Sequence, residues 1–210
     1  ESAVHSNNGI DTIEVGAIDT MYPRDFVIYE LLNSTYGFKG DVVEELNKAL
    51  KRGVTDRRFY ARDYVAYLDR GNIMVAPIED EDDCEVVVER DDMRSYCGNS
   101  VLYYEHTDID NVNEYHLPSD VALLDEAKLQ YPLRLRRWRE GDTFIPFGMA
   151  GRKKVGDYLT DQKVPIIERK RQFVLLSGEE IVWIVGRRTD DRFRVGPHTE
   201  SILKIKKLTI

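Results

Sequence analysis

The sequence has 210 residues, 42% of them hydrophobic and 32% charged, which provides enough apolar material for one large domain or two small ones. No run approaches the roughly 18 apolar residues of a membrane-spanning helix, and no charged-then-apolar signal peptide is visible at the start. Cys84 and Cys97 lack the spacing of a zinc site or a disulfide framework, so we expect a cytoplasmic protein with ordinary thiols.

The net charge of -8 conceals a division along the chain. Residues 131–210 carry 18 Lys and Arg against 10 Asp and Glu, whereas residues 1–130 carry 12 against 28. Opposed charge in two parts of a chain suggests two units with different partners. The basic part favours nucleic acid as one of those partners.

The first clear pattern after residue 20 is helical, while the first twenty residues carry no strong period. Pro23 suits the start of a helix, the apolar residues that follow recur at helical spacing, and Gly37 ends it. Asp41 is a fair N-cap for a second helix, which Gly53 ends. We therefore predict a two-helix hairpin.

Strand patterns follow the hairpin. RRFYARDYVAYL and NIMVAPI flank Asp69-Arg70-Gly71, which predicts a β-hairpin with a glycine turn. EDEDD, residues 79–83, is typical of a solvated acidic loop. CEVVVE, VLYYEH and EYHLP are further short strand candidates.

We place a domain boundary between residues 128 and 129, with an acidic domain before it and a basic domain after it. LRLRRW, FVLLSG and EEIVWIVGRR are strand candidates of the second domain, and IIERKR is a short helix. ILKIKKL alternates apolar and basic residues as a half-buried strand does. The predicted class is α+β, with a helical hairpin plus strands in the first unit and a small mixed α/β domain at the C-terminal end.

The segment GMAGRKKVGDYLTDQKVP, residues 148–165, combines glycines with three consecutive cations. A helix beginning near Arg152 or Lys153 would expose the lysines and place Asp157 beside them. Lysine at a helix N-terminus opposes the macrodipole by a few tenths of a kcal/mol to about 1 kcal/mol. Backbone N–H groups, glycines and lysine charge together favour a phosphate site. The alternative is a solvated lysine cluster after an ordinary glycine turn.

Further cations crowd the same part of the sequence, and arginine binds phosphate through a planar fork. They are Arg134, Arg136, Arg137, Arg139, Lys163, Arg169, Lys170, Arg171, Arg187 and Arg188. Trp138 and Trp183 are able to stack a base, although Trp183 within IVWIVG is expected in the core.

Signatures of a self-contained active site are absent from the sequence. GMAGRKKV does not fit the phosphate loop of nucleotide hydrolases, and no G-x-G-x-x-G, H-E-x-x-H or G-x-S-x-G occurs. The four histidines are scattered, so we expect no metal site. Asp142 and Asp157 are an imaginable acid/base pair, but charge partnership with nearby cations is favoured.

The stretch RRWREGDTFIPFGMAGRKKVGDYLTDQKVP, followed by ERKR and EEIVWIVGRRTDDRFRV, resembles the C-terminal domain of the tRNA(Ile)-lysidine synthetase family. The helical hairpin and ARDYVAYLDRGNIMVAP are similar to the middle domain of that family. The resemblance implies an ATP-dependent ligase, with Mg as the accompanying ion, that adenylates the wobble cytidine of the CAU anticodon of tRNA(Ile). Free lysine then displaces AMP and leaves lysidine.

The resemblance also implies that the two C-terminal domains of the family bind tRNA. The candidate tRNA contacts it gives are Arg134, Arg136, Arg137, Arg139, Arg152, Lys153, Lys154, Lys163, Arg169 and Arg187. Gly148, Gly151 and Asp157 are candidates for shaping that surface. No catalytic residue and no metal ligand carries over.

Family catalysis resides in an N-terminal PP-loop domain with an S-G-G-x-D-S signature, which Ser177-Gly178-Glu179 does not match. We therefore expect a C-terminal fragment that holds no cofactor itself and is inactive alone, with ATP and lysine bound by the rest of the parent enzyme. The alternative is a scaffold or homo-oligomerisation module, in which an exposed edge strand such as ILKIKKL supports pairing. An independent nucleotide-dependent enzyme is a third reading that lacks a phosphate loop.

Overall fold

The chain folds into two compact units in the computed structural model. The first unit comprises the chain up to residue 81 together with 165–167, and the second comprises 82–164 and 168–210. The predicted acidic loop at 79–83 and most of the predicted strand EYHLP lie outside the described residues. The structure describes residues 3–7, 9–18, 23–55, 57–78, 85–98, 100–111 and 117–209.

Three helices belong to the first unit: α1 (Val15–Ile18), α2 (Arg24–Tyr36) and α3 (Gly40–Lys51). The predicted two-helix hairpin is confirmed as α2 and α3. Gly37 ends α2 with a φ of 73°, and its N–H donates to the Asn33 carbonyl at 3.0 Å. The N-cap predicted at Asp41 is wrong: Lys39 occupies the N-cap position of α3, and Asp41 lies in the first turn of the helix. Among the described helices, none is long and apolar enough to cross a membrane.

An antiparallel five-stranded sheet completes the first unit, in the order β1-β2-β5-β4-β3. The predicted hairpin is confirmed, with positive φ at both Arg70 and Gly71, as a two-residue type I′ turn requires. Strands β1 and β2 were missed because each has four residues, too few to show a period. The strands are β1 (Val4–Asn7), β2 (Ile10–Ile13), β3 (Arg58–Tyr60), β4 (Tyr64–Asp69) and β5 (Asn72–Pro77).

The core of the first unit lies between the helices and one face of this sheet. Ile28 and Leu32 of α2 and Leu46 of α3 are fully buried with Leu68 and Ile73 of the central strands. Because strand side chains alternate between faces, Leu68 points into this cluster while the neighbouring Tyr67 packs on the opposite face.

The second unit contains two larger sheets and a two-stranded ladder. The five-stranded sheet has the order β15-β14-β13-β10-β6, the four-stranded sheet has the order β7-β8-β16-β9, and β11 pairs with β12. The strands are β6 (Val86–Val88), β7 (Arg94–Cys97), β8 (Ser100–Asp108), β9 (Val121–Asp125), β10 (Leu133–Arg137), β11 (Thr143–Phe144), β12 (Lys153–Lys154), β13 (Phe173–Ser177), β14 (Glu180–Ile184), β15 (Arg188–Thr189) and β16 (Ser201–Thr209).

The five-stranded sheet is buried on both faces, and β13 shows how. Leu175 packs with the four-stranded sheet in one cluster that includes Trp183, whereas Val174 and Leu176 pack with α4 (Val155–Asp161) in another. Trp183 has no exposed surface, so its expected place in the core is confirmed. The short helix predicted at IIERKR is present as α5 (Ile166–Lys170).

The predicted boundary between residues 128 and 129 falls inside the second unit and does not separate compact units. Strand β6 pairs with β10, and β8 and β9 both pair with β16, so residues 86–125 are joined by backbone hydrogen bonds to residues 133–209. The acidic and basic parts of the chain therefore meet within one unit. Over residues 82–210 the charges nearly balance, with 21 Lys and Arg against 23 Asp and Glu.

The prediction that ILKIKKL forms an exposed edge is wrong. This segment lies within β16, which pairs with β8 from Ser201 to Thr209 and with β9 from Ile202 to Lys206. Both of its backbone edges are hydrogen-bonded over the second range. The segment therefore cannot recruit another chain there by strand addition.

We predict that Gly37→Ala destabilises the first unit by about 1 kcal/mol, because an L-residue in the left-handed region costs that much while no atom obstructs the new methyl group. Gly16→Ala in α1 is the matched control, since its methyl group also meets open space and its φ is not positive. Urea denaturation should show a lower free energy of unfolding only for Gly37→Ala. Equal effects of both changes would contradict the assigned role of the left-handed cap.

Candidate nucleic-acid interface

The glycine loop, defined here as residues 145–152, joins β11 to β12. Its turn is closed by the Met149 N–H, which donates to the Pro146 carbonyl at 2.8 Å, with Gly148 at a φ of 83°. A turn with positive φ at its third position favours glycine there. The tip exposes two large apolar side chains, Phe147 at 44% and Met149 at 50%. The loop therefore presents an apolar tip to solvent.

Backbone bonds attach the glycine loop to residues 189–191. The Phe147 N–H donates to the Thr189 carbonyl at 3.0 Å, and the Asp191 N–H donates to the Ile145 carbonyl at 2.8 Å. The Gly148 N–H donates to the Asp191 carboxylate at 2.9 Å. Gly148 thus shapes the loop, whereas Gly151 has an ordinary φ and open space around it.

A fully buried carboxylate, that of Asp190, also holds the glycine loop in place. Its oxygens accept the Ile145 N–H at 2.8 Å and the Arg192 N–H at 2.9 Å. The Arg192 guanidinium donates to both oxygens, at 2.9 and 2.8 Å. The hydrogen bond to Asp190 raises the pKa of Arg192 well above its usual range. The buried charge is therefore paired and hydrogen-bonded, as burial requires.

Glu180 connects the ion pair between Asp190 and Arg192 to the end of the glycine loop. Its carboxylate contacts the Arg192 guanidinium at 2.8 Å and the Arg152 guanidinium at 2.8 Å. Burial alone would raise the pKa of Glu180, but the hydrogen bonds from Arg152 and Arg192 outweigh burial and lower it. Arg152, at the end of the glycine loop, is thereby connected through Glu180 and Arg192 to Asp190.

The predicted helix start at Arg152 or Lys153 is wrong, because Lys153 and Lys154 form β12 and α4 begins at Val155. The Val155 N–H donates to the Asp142 carbonyl at 2.9 Å, so it is not available to an anion. Lys153 pairs with Asp161 at 2.6 Å instead of the expected Asp157, since the lysines precede the helix. The lysines are thus held on a strand beside the loop.

Asp142 is a charge partner, as expected, and not half of an acid/base pair. The Arg136 guanidinium donates to both of its oxygens at 2.8 and 2.9 Å, and the Arg139 N–H donates to it at 2.7 Å. Gly141, with a φ of 96°, allows the turn that brings Arg139 and Asp142 together. Arg136, a candidate tRNA contact from the sequence, is 8% exposed, so little of its side chain is available to a ligand.

Trp138 and Arg169 also serve internal packing. The Trp138 indole N–H donates to the Arg169 carbonyl, and its ring covers Gly156, where an added Cβ would lie 3.3 Å from the ring. The Arg169 guanidinium donates to the Val164 carbonyl at 2.6 Å and to the Thr160 hydroxyl at 2.8 Å. The suggested base-stacking role of Trp138 is therefore replaced by a structural one.

Three further predicted contacts have internal partners. Arg134 donates to the Gly178 carbonyl at 2.7 Å and pairs with Glu179 at 2.7 Å. Arg187 donates to the Gln172 side chain at 2.7 Å and pairs with Glu168 at 3.1 Å. Arg137 donates to the Lys170 carbonyl at 3.2 Å.

The structure brings a smaller set of cations to the surface around the glycine loop. Arg152 is the last residue of the loop and Lys154 follows it, and both are exposed, while Arg188 lies beside the loop. The Arg188 guanidinium donates to the Phe147 carbonyl at 2.9 Å and lies 5.9 Å from the centre of the Phe147 ring. Arg139 and Lys163 are exposed elsewhere in the motif. The sequence pattern identifies Arg188 only as a further cation and gives no signal for Phe147, Asp190 or Glu180.

A groove of about 490 Å³ adjoins the loop within the second unit. Its lining includes Leu117, Leu123 and Val195 as well as Phe147 and Arg188. An exposed aromatic ring next to a guanidinium suits a nucleobase and its phosphate. Among the described residues, no group of three or more His, Cys, Asp or Glu side chains is placed to hold a metal ion.

Two family models match the chain. The family described as TilS substrate binding domain matches residues 6–78, and the family described as TilS substrate C-terminal domain matches residues 133–205. The first match lies in the first compact unit and the second in the second unit.

Relatives and a solved structure agree with these matches. A tRNA(Ile)-lysidine synthase from Parabacteroides distasonis is 34% identical over 94% of this chain and 44% of its own length. That from Bacteroides thetaiotaomicron is 32% identical over 90% of this chain and 41% of its own length. The chain thus spans less than half the length of these relatives. A crystal structure of a TilS C-terminal domain, 19% identical, has a TM-score of 0.52 over 60% of this chain and 98% of its own, which shows a shared fold.

We predict that Asp190→Asn destabilises the second unit by about 2 kcal/mol, because the buried Arg192 pair loses one charge while Glu180 still neutralises part of the other. Asp191→Asn is the matched control, since its carboxylate is partly exposed and an amide oxygen still accepts the Gly148 N–H. Thermal unfolding should separate the two variants. If Asp191→Asn lowers the melting temperature as much as Asp190→Asn does, Asp190 does not have the special stabilising role that we assign to it.

The lowered pKa of Glu180 gives a pH prediction with a definite sign. The ionised form is favoured by folding, so its contribution to stability is present above the unfolded pKa of about 4.3 and is lost as pH falls through the lower folded pKa. Glu180→Gln should be less stable than the natural chain at pH 7, and the difference should shrink below about pH 4. Urea denaturation at a series of pH values measures it. A difference that grows in acid would show the opposite linkage.

Proposed function

We propose that this chain, which belongs to the tRNA(Ile)-lysidine synthase family, is a tRNA-binding portion of such an enzyme. The observation that carries the proposal is that each compact unit contains a match to a substrate domain of this one family. The relatives bear the name of an enzyme that acts on tRNA(Ile). The partner that we propose for the chain is tRNA(Ile) with a CAU anticodon.

The reaction proposed for the whole enzyme is the ATP-dependent joining of lysine to the wobble cytidine of that anticodon. ATP with Mg and free lysine would be bound outside the part of the enzyme that this chain spans, which is 44% and 41% of the two relatives. The chain's own task is to bind and orient the tRNA, and the proposed place of action is the cytoplasm. Binding at several separated surfaces gains from linkage, which favours a division of this kind.

The glycine loop and its neighbouring cations are the proposed contact surface in the second unit. Arg152, Lys154 and Arg188 would bind phosphate, and Lys153, whose partner Asp161 is 60% exposed, would exchange that carboxylate for a further phosphate. The exposed Phe147 ring would contact a base or ribose. Arg139 and Lys163 are proposed as additional phosphate contacts because both are exposed. The remaining candidate arginines would act through the shape of this surface, since their guanidinium groups have the internal partners described above.

The alternative function is a scaffold or oligomerisation module without RNA contact. Its main support was an exposed ILKIKKL edge, and that segment is paired on both sides. Light scattering across a concentration series tests it. A monomer at all concentrations would leave the RNA-binding proposal as the better account.

We predict that tRNA binding by the chain weakens steeply with salt, because phosphate neutralisation releases counterions. Lys153→Ala with Lys154→Ala should weaken binding at low salt and reduce the slope of log affinity against log salt by about one to two, since each phosphate contact contributes about 0.7 to 0.9. Fluorescence anisotropy with labelled tRNA(Ile) transcript measures both quantities.

The matched control is Lys204→Ala with Lys206→Ala, which removes the same charge from β16 of the same unit. It should retain most of the affinity if the loop surface is specific. Equal losses in both double variants would indicate a general charge effect. A natural chain that binds tRNA no better than an acidic control protein at low salt would refute the proposed function.

A further inference from the structure

A second groove, separate from the glycine loop, lies between α2 and α3 of the first unit. It has a volume of about 450 Å³ and is walled by Phe26 and Tyr29 of α2 and by Val43 and Asn47 of α3. Tyr29 packs against the start of α3, since its ring would lie 3.5 Å from a Cβ at Gly40, an ordinary van der Waals contact. The groove is therefore aromatic on one wall and open to solvent.

Asn47 is the unusual member of this groove. It is 7% exposed, and its Oδ1 atom has no hydrogen-bond partner among the described residues. It occupies a core-facing position of α3, beside the fully buried Leu46 and four residues after Val43. An apolar residue would suit that position, because asparagine is a poor helix former and a buried unsatisfied amide is costly. Such an exception to the local pattern is typical of a ligand site.

The other groups around the groove suit a nucleotide. Phe26 is 56% exposed, so one face of its ring is available for stacking. At the rim, Lys51 contacts Asp25 at 2.5 Å and Lys48 contacts Glu44 at 2.6 Å. Both lysine side chains are more than half exposed, so a phosphate is able to replace either carboxylate as the partner.

We propose that the groove between α2 and α3 binds an unpaired nucleobase of the RNA, with adenine preferred. The base stacks on Phe26, and the Asn47 amide reads its edge after a side-chain rotation that brings Oδ1, which has almost no accessible surface in this structure, to the groove. An asparagine amide offers one acceptor and one donor, which match the amino group and a ring nitrogen of adenine. Cytosine presents the same pair of groups, so the preference for adenine comes from the larger purine ring that stacks on Phe26. This inference rests on the proposed tRNA binding and adds a specific contact in the acidic unit.

The first test compares tRNA(Ile) binding by Asn47→Leu, Phe26→Ala and the natural chain. Each change should weaken binding about tenfold, the range of one stacked or edge-bonded base. Asn47→Leu should retain or raise the melting temperature, because leucine replaces an unsatisfied buried amide with an apolar side chain. Tyr60→Ala is the matched control, since Tyr60 is a similarly exposed aromatic residue on β3 that does not line the groove.

The second test uses mononucleotides and does not depend on tRNA binding. AMP should shift the side-chain amide resonance of Asn47 in NMR spectra of the full 210-residue chain, and UMP should shift it less. Phe26→Ala should remove the AMP response. Saturable binding of AMP and UMP with equal affinity would overturn the preference for adenine.

The two tests separate this inference from the proposed function. If the natural chain binds tRNA and both groove variants bind it equally well, the groove has no role in RNA binding and the inference is wrong. If the natural chain fails to bind tRNA, the proposed function fails, and AMP binding alone decides whether the groove takes a base. No response to AMP together with unchanged tRNA affinity refutes the inference completely.

Discussion

The structure around the candidate interface depends on one buried carboxylate. Asp190 has no solvent exposure, yet it accepts the Ile145 N–H of the glycine loop and neutralises Arg192. Because a buried charge is stable only when it is paired and fully hydrogen-bonded, the loop can occupy few other positions without leaving that carboxylate unsatisfied. The exposed Phe147 is therefore presented by a rigid support, which reduces the entropy lost on binding a ligand.

This support explains why the motif is so rich in charge. Arg136, Arg187 and Arg192 contact acidic or carbonyl oxygens of their own unit, so much of the positive charge counted from the sequence holds the fold together. The charge left to attract nucleic acid is smaller and more localised, at Arg152, Lys154 and Arg188. The number of cations in a sequence therefore includes both those that pair with acidic groups inside the fold and those that are exposed to a ligand. Only the structure shows which cations belong to each group.

The sequence predicted the elements that carry a long period or a strong terminator. The α2–α3 hairpin, the β4–β5 turn and the strands β10, β13 and β14 follow from spacing and from glycine positions alone. The predicted boundary at 128 does not coincide with the division between the compact units, because β16 pairs with strands from residues 100–125 and long-range pairing leaves no local signal. The sequence located the segment that forms the candidate site, but it did not predict the contacts that hold this segment in place. The partners of the lysines and of Asp190 lie up to 45 residues away in the chain.

The position of β16 within its sheet has a consequence for the order of folding. This strand follows every other strand of the four-stranded sheet in the chain, yet it lies between β8 and β9 and provides the pairing of both. During synthesis, a chain that has emerged only as far as Thr189 contains the helices α1 to α5 but not the strand that unites this sheet. Until β16 arrives, β8 and β9 expose unpaired edges. The sheet of the first unit is complete by Pro77 and can form early during synthesis, whereas the four-stranded sheet of the second unit must wait until β16 has emerged, and its open edges need shielding until then.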